Sequence, residues 1–203
     1  MSADTISLGG QVAVVTGSGR ENGIGAAIAM ALARNGAAVA INYISESSRP
    51  RAEAVVKKLE AVGARATSVR ADISNPEGAT ELVQATLRAF ETEKIDILGK
   101  HLDYPVLFCQ LLMDDIVNNA GKGVGHGKLV MELVQEELQE AFSTNVFGTI
   151  YMTQAAVPRM PRGSCIVNIG TNLTQTILRG VTAYAASKAA QDFVSSALAL
   201  EVR

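Results

Sequence analysis

The chain has 203 residues, 48% of them hydrophobic and 19% charged, with a formal net charge of −2. These proportions describe one globular domain with a sizeable core, residues 1–203, rather than a disordered chain, and they leave no electrostatic footprint for nucleic acid or an acidic membrane. No apolar run reaches the roughly 18 residues of a membrane span, and the start, MSADTISLGG, has neither the basic nor the apolar part of a secretory signal, so a cytoplasmic protein is expected.

Residues 11–34 read QVAVVTGSGRENGIGAAIAMALAR. The apolar run 12–15 suits a strand buried on both faces of a parallel sheet. Residues 16–25 form a glycine-rich turn and 26–34 an alanine-rich helix. Strand, glycine turn and helix in that order make an anion site, because glycine lets the backbone approach a phosphate and the first helical N–H groups point at it. A dinucleotide pyrophosphate is the expected ligand. An ordinary tight βα turn is the alternative.

Strands follow at 38–42 and, more weakly, 66–71. Between them Ala52, Val55, Val56 and Leu59 recur at helical spacing, with Gly63 placed for a helix C-cap. Ser74, Pro76 and Glu77 predict a helix start capped by the serine, followed by an apolar stripe of Ala79, Leu82, Val83, Leu87 and Phe90. The β-α-β-α-β-α order predicts an α/β fold, a doubly wound parallel sheet with helices on both faces. Residues 93–98 then look like the opening of a fourth strand and 116–121 its exit. Residues 99–115 fit neither and read as an insertion, as if intron sequence had been retained. Its removal would leave a continuous KIDIVNNAG-like strand. A single helix is expected from Gln135 to about Ala156 with Pro158 as its stop, then a fifth strand at 164–169 and a last helix at 182–203. Cys109 and Cys165 are too few and too far apart for a disulfide framework and are expected to be buried and reduced. His101 and His126 stand in no ligand-spaced cluster, so no metal is expected.

Tyr184, Ser187 and Lys188 stand in YAASK at the start of that last helix. Tyrosine and a lysine four residues on share one helix face, and a cationic neighbour favours the phenolate, which makes a usable general acid. A surface Tyr–Lys pair is the alternative.

Taken together, Thr16-Gly17…Gly23-Ile24-Gly25, the NNAG run at Asn118, Asn119, Ala120 and Gly121, Asn145, and Tyr184…Lys188 occur in an order that resembles the short-chain dehydrogenase/reductase family. The resemblance covers nearly the whole chain apart from 99–115. It implies a Rossmann-like sheet lacking the last strands, and an oxidoreductase that interconverts a ketone and a secondary alcohol. Tyr184 would be the proton donor and acceptor. Lys188 would hold the nicotinamide ribose, and Asn145 would complete a water-mediated proton relay. The family's serine position, thirteen residues before the tyrosine, falls on Thr171. Gly17, Ser18, Arg20, Gly23, Ile24, Gly25, Asn42, Tyr43, Ser45, Asp72, Ile73, Asn119 and Ala120 would join Tyr184 and Lys188 in holding the cofactor. No carboxylate follows the second strand until Glu46, and Arg20 could pair with a 2′-phosphate, which favours NADP(H) over NAD(H).

Two departures qualify the resemblance. Five residues separate Gly17 from Gly23 where the family has three, so Glu21 and Asn22 look inserted. The family also continues past the last helix with strands and a substrate-covering segment. A nucleotide-binding remnant without catalysis is therefore the rival expectation. The helices from Gln135 and from Tyr184 would pair in a homodimer or homotetramer if the family's habit holds. By analogy the substrate resembles those of fungal polyketide and aromatic-ketone reductases of secondary metabolism.

Overall fold

A computed structural model describes residues 7–95, 115–118, 120–161 and 164–201. It contains five parallel strands in the order β3-β2-β1-β4-β5: β1 (Val12–Val15), β2 (Ala38–Tyr43), β3 (Ala66–Arg70), β4 (Asp115–Asn118) and β5 (Cys165–Asn168). The direction of travel reverses at β1, and it is there that a doubly wound sheet opens a crevice at its carboxyl edge.

Alternate residues of β1 feed two separate cores, as a pleated strand requires. Ala13 and Val15 face α1 (Ile24–Arg34) and α2 (Arg49–Glu60), packing with Ala29, Leu32, Val55 and Leu59. Val12 and Val14 face α3 (Pro76–Phe90) and α5 (Gly148–Ala156), packing with Leu82, Val83, Phe90 and Met152. The expected α/β architecture, with helices on both faces, is therefore present. The last helix, α6 (Thr182–Glu201), lies against α4 (Gln135–Phe142), the turn after it and β5.

Several local expectations are corrected. The cap of α3 is Asn75, not Ser74: Asn75 has extended dihedrals and its side chain accepts from Gly78 N at 2.8 Å. Ser74 instead donates to the Asp72 carboxylate at 2.7 Å. The helix expected from Gln135 to Ala156 is interrupted by a π turn at Ser143–Phe147, which carries Asn145. Residues 93–95 are not strand. Ile95 is fully buried and donates its N–H to Arg159 O at 3.1 Å, 96–98 lie outside the described residues, and β4 begins at Asp115. Cys165 is half-buried rather than buried. Of the insertion expected at 99–115, Asp115 instead opens β4, paired with Cys165, and 99–114, with His101 and Cys109, lie outside the described residues. No helix among the described residues is long and apolar enough to cross a membrane.

Gly63, at φ +89, ends α2 as expected, with Ala64 N reaching back to Leu59 O at 3.3 Å. α3 ends in the same left-handed way but on Glu91, at φ +53. A side chain in that region costs about 1–2 kcal/mol, whereas the extra freedom of glycine in the unfolded chain costs only about 0.5–1 kcal/mol. Glu91→Gly is expected to raise stability by about 0.5 to 1 kcal/mol in urea unfolding.

Candidate active site

The glycine turn is fastened to β2 by one residue. Asn42 is 1% exposed. Its Oδ1 accepts from Gly17 N at 3.2 Å, and its main-chain oxygen accepts from Ser18 N and Gly19 N at 3.0 and 3.2 Å. Its Nδ2 donates to Ala71 O at 2.9 Å, which carries the tie across to β3. Ser18 is fully buried and donates to Val15 O at 2.6 Å. The side chains of Asn42 and Ser18 thus shape the turn from beneath. Gly17 must be glycine: its φ is +62, and a methyl there would stand 2.7 Å from Ala120 Cα.

The longer loop resolves simply. Gly23 N donates to Arg20 O at 2.9 Å, closing a turn, while Glu21 pairs with Lys58 at 2.6 Å. Glu21 and Asn22 are exposed, and Gly23 still stands as the N-cap of α1. No side chain caps that helix and no acid lies in its first turn. Ile24 is 66% exposed at the same helix start, ahead of the buried Gly25.

Beyond β2, Tyr43 is buried, and its hydroxyl accepts from Arg49 Nε at 3.3 Å. That bond, then the Glu46 carboxylate, hold the Arg49 guanidinium firmly charged. Glu46 is already paired with Arg49 and Arg70, each at 3.0 Å. Ser45 is exposed and bonded to Ser47 and Ser48. The Arg20 guanidinium is exposed and has no partner among the described residues. Asp72 is exposed, with its carboxylate turned to Ser74. The Ile73 side chain is 2% exposed and lies in the core under Gly148. Asn119 lies outside the described residues.

The other half of the site is built on α6 and the π turn. Lys188 is 3% exposed, and its ammonium donates to Ile169 O, just past β5, at 2.7 Å and to Gln191 Oε1 at 2.8 Å. Burial pushes its pKa below the usual lysine value, against the opposing pull of Asp192. Asn145 is fully buried. Its Nδ2 donates to Ser187 Oγ at 2.8 Å, and its Oδ1 accepts from Lys122 N at 2.9 Å. The side chain thus braces α6 against the segment after β4, and the main-chain oxygen accepts from Thr149 Oγ1 at 3.1 Å. Ser187 in turn donates to Tyr184 O at 2.8 Å.

Tyr184 is half-buried in the first turn of α6, and its ring lies 6.4 Å from that of His126. Thr171 Oγ1 accepts from Leu173 N at 3.3 Å, which leaves its O–H free to donate elsewhere. Ala120–Lys122 joins the two halves. Ala120 N donates to Thr16 Oγ1 at 3.1 Å, and a methyl on Gly121 would lie 3.6 Å from both Lys188 Nζ and Asn145 Oδ1.

Comparison with known proteins bears on this geometry. The sequence profile of the family described as short chain dehydrogenase matches residues 11–203. The chain belongs to the short-chain dehydrogenase family. An uncharacterised oxidoreductase of Methylorubrum extorquens is 36% identical over 195 residues, covering 96% of this chain and 68% of its own. A versicolorin reductase of Emericella nidulans is 32% identical, covering 98% of this chain and 66% of its own. Among solved structures, a blue fluorescent protein from a metagenomic library in complex with NADPH superposes with a TM-score of 0.79 at 33% identity, over 97% of this chain and 70% of that one. A short chain dehydrogenase of Burkholderia cenocepacia in complex with NADP gives 0.79 at 34% identity, over 96% and 69%. The chain thus spans about two thirds of the length of these relatives.

The residues present fit a dinucleotide of the kind bound by those neighbours. The start of α1 has no side-chain cap and no acid in its first turn, Gly17 in the turn before it is too crowded for any side chain, and the buried Lys188 ammonium lies at Gly121. No group of His, Cys, Asp and Glu among the described residues could hold a metal ion. Sequence reading missed Gln191, Thr149 and His126. The first two stand in no motif. His126 was weighed only as a metal ligand, although its place in the glycine-rich run after NNAG puts it near any group that run covers.

The depressed Lys188 has a measurable consequence. Between its lowered value and the ordinary 10.5, the unfolded chain holds a proton that the folded chain lacks. Stability therefore rises with pH across that window, the penalty being full below the folded pKa and gone above the unfolded one. Urea unfolding of wild type and Lys188→Met is expected to show the difference moving toward the wild type as pH is raised through the alkaline range.

Proposed function

We propose that the chain is an NADP(H)-dependent oxidoreductase that interconverts a ketone and a secondary alcohol. The observation that carries this reading is the convergence on Gly121 of the Lys188 ammonium and the Asn145 brace, with Tyr184 one helical turn before the lysine. When bound, the nicotinamide supplies or takes the hydride. The protein's part is the proton and the alignment. Thr171 and Tyr184 offer two O–H donors to a carbonyl oxygen, and Tyr184 gives its proton as that oxygen gains charge, or takes it back in the oxidative direction. The positive charge of Lys188 favours the phenolate left behind.

Preference for NADP(H) is supported by charge. Arg49 and Arg70 share the Glu46 carboxylate at the end of β2, Glu53 also acts on Arg49, and Arg20 follows Gly19, which lies against Tyr43. The NADPH and NADP complexes among the structural neighbours support the same choice. The versicolorin reductases among the relatives favour an aromatic or polyketide-type ketone in secondary metabolism. Phe147, Phe193 and Leu200, 45%, 77% and 68% exposed along the π turn and α6, support self-association into a homodimer or homotetramer through those helices.

Two variants test the reading. Tyr184→Phe is expected to lower NADPH oxidation with a carbonyl panel by about a hundredfold or more while NADPH binding, followed by fluorescence, stays near wild type. Unchanged turnover refutes the role of Tyr184, and NADPH binding with no turnover in the wild type selects the non-catalytic alternative. Arg20→Ala is expected to weaken NADPH binding about tenfold and leave NADH unaffected.

A further inference from the structure

Gln191 has no motif to recommend it, yet it is fully buried with both ends of its amide engaged. A buried amide is costly unless it is bonded at both ends, so its partners explain its presence. Its Oε1 accepts from Lys188 Nζ at 2.8 Å and its Nε2 donates to Thr149 Oγ1 at 2.9 Å. Thr149 then donates to Asn145 O at 3.1 Å. One helical turn separates Gln191 from Lys188, and Thr149 comes from the facing helix, so the amide is clamped from two elements.

An ammonium has three N–H groups. Ile169 O takes one and Gln191 a second, leaving one at the Gly121 edge. Resting on the hydride-transfer reading above, we infer that Gln191 is a positioning residue for Lys188: its amide aims the remaining N–H at the cofactor, and Thr149 fixes the amide. An apolar side chain would fill the same space but would leave a four-carbon stem held by one carbonyl alone, free to sample other rotamers. A carboxylate would hold the ammonium and cancel its charge. The neutral oxygen holds it and leaves the charge to act on the phenol. Asp192, adjacent in sequence, is the other group whose field reaches this lysine.

The test titrates NADPH by fluorescence against full-length wild type, Gln191→Leu, Gln191→Glu and Thr149→Val. Each variant's melting temperature and kcat with a carbonyl substrate are recorded beside its Kd. Gln191→Leu is expected to weaken NADPH binding about tenfold, the scale of one hydrogen bond to a charged group. Thr149→Val should move Kd the same way by a smaller factor. Gln191→Glu should restore Kd, yet shift the pH profile of kcat to higher pH, since its carboxylate neutralises the charge that favours the phenolate. Val83→Ala, on the core face of α3, should lower the melting temperature and leave Kd unmoved, which separates positioning from mere stability. Wild-type Kd and kcat in Gln191→Leu overturn the inference. If that variant does not fold, wild-type Kd in Thr149→Val together with an unshifted pH profile in Gln191→Glu overturns it. A wild type that binds NADPH without turnover sinks the functional reading alone, and the order of Kd values still decides Gln191. A wild type that binds no NADPH sinks both.

Discussion

A lysine ammonium, 3% exposed, sits where the sheet's crevice meets the last helix, and much of the surrounding architecture answers to it. Removing such a charge from water costs several kcal/mol, which attraction to the Asp192 carboxylate offsets only in part. The fold answers with neutral dipoles instead. The carbonyl of Ile169 comes from the end of β5, where the chain leaves the sheet, and the Gln191 oxygen comes from the same helix as the lysine. Each acceptor needs its own support, so the lysine sets demands two layers outward. Thr149 must face Gln191, and α5 must therefore lie close to α6.

The π turn meets that demand at the point where it arises. A wider turn shifts the register of the residues after it, so one continuous sequence can present Asn145 and Thr149 to α6 while still burying Met152 and Ala156 in the core. Nothing in the apolar spacing announces it. Leu138, Phe142, Val146 and Ile150 satisfy an ordinary helix as read in sequence, and the departure lies in the backbone bonds alone. The same blindness affected other positions. Ser74 and Asn75 are both competent caps, and their chemistry does not say which takes extended dihedrals. Asn42 was legible as a polar residue ending a strand, but the sequence does not say which way its amide faces, and so a buried staple reads like a ribose contact.

What the sequence did carry was the part with strong local physics. The β1 run, the glycine turn and the helix behind it are fixed by steric need, because a methyl at Gly17 would collide with Ala120. The Tyr184–Lys188 spacing is fixed by helix geometry. The extra residues Glu21 and Asn22 read in sequence as an insertion, and the Arg20–Gly23 turn carries them on the surface while Lys58 pairs with the added acid. A long-range partner such as Gln191 leaves no local trace, because nothing in the neighbourhood of residue 191 requires an amide.

These strands meet in the short segment Ala120–Lys122. Ala120 touches Thr16 and Gly17 on the phosphate side, while Gly121 and Lys122 touch Lys188 and Asn145 on the proton side. Among the described residues, no hydrogen bond of Asn42 or Ser18 reaches Lys188 or Asn145 across the two halves. Their separation is set by three residues of backbone, held at one end by a threonine hydroxyl and at the other by an asparagine amide. The relation between a dinucleotide's phosphates and its reacting ring is a fixed length, so a protein that binds one end and works on the other must hold its two halves at matching distance. Here that distance is kept by hydrogen bonds to main chain together with the packing of Ala120 on Gly17 and on the core beneath α3.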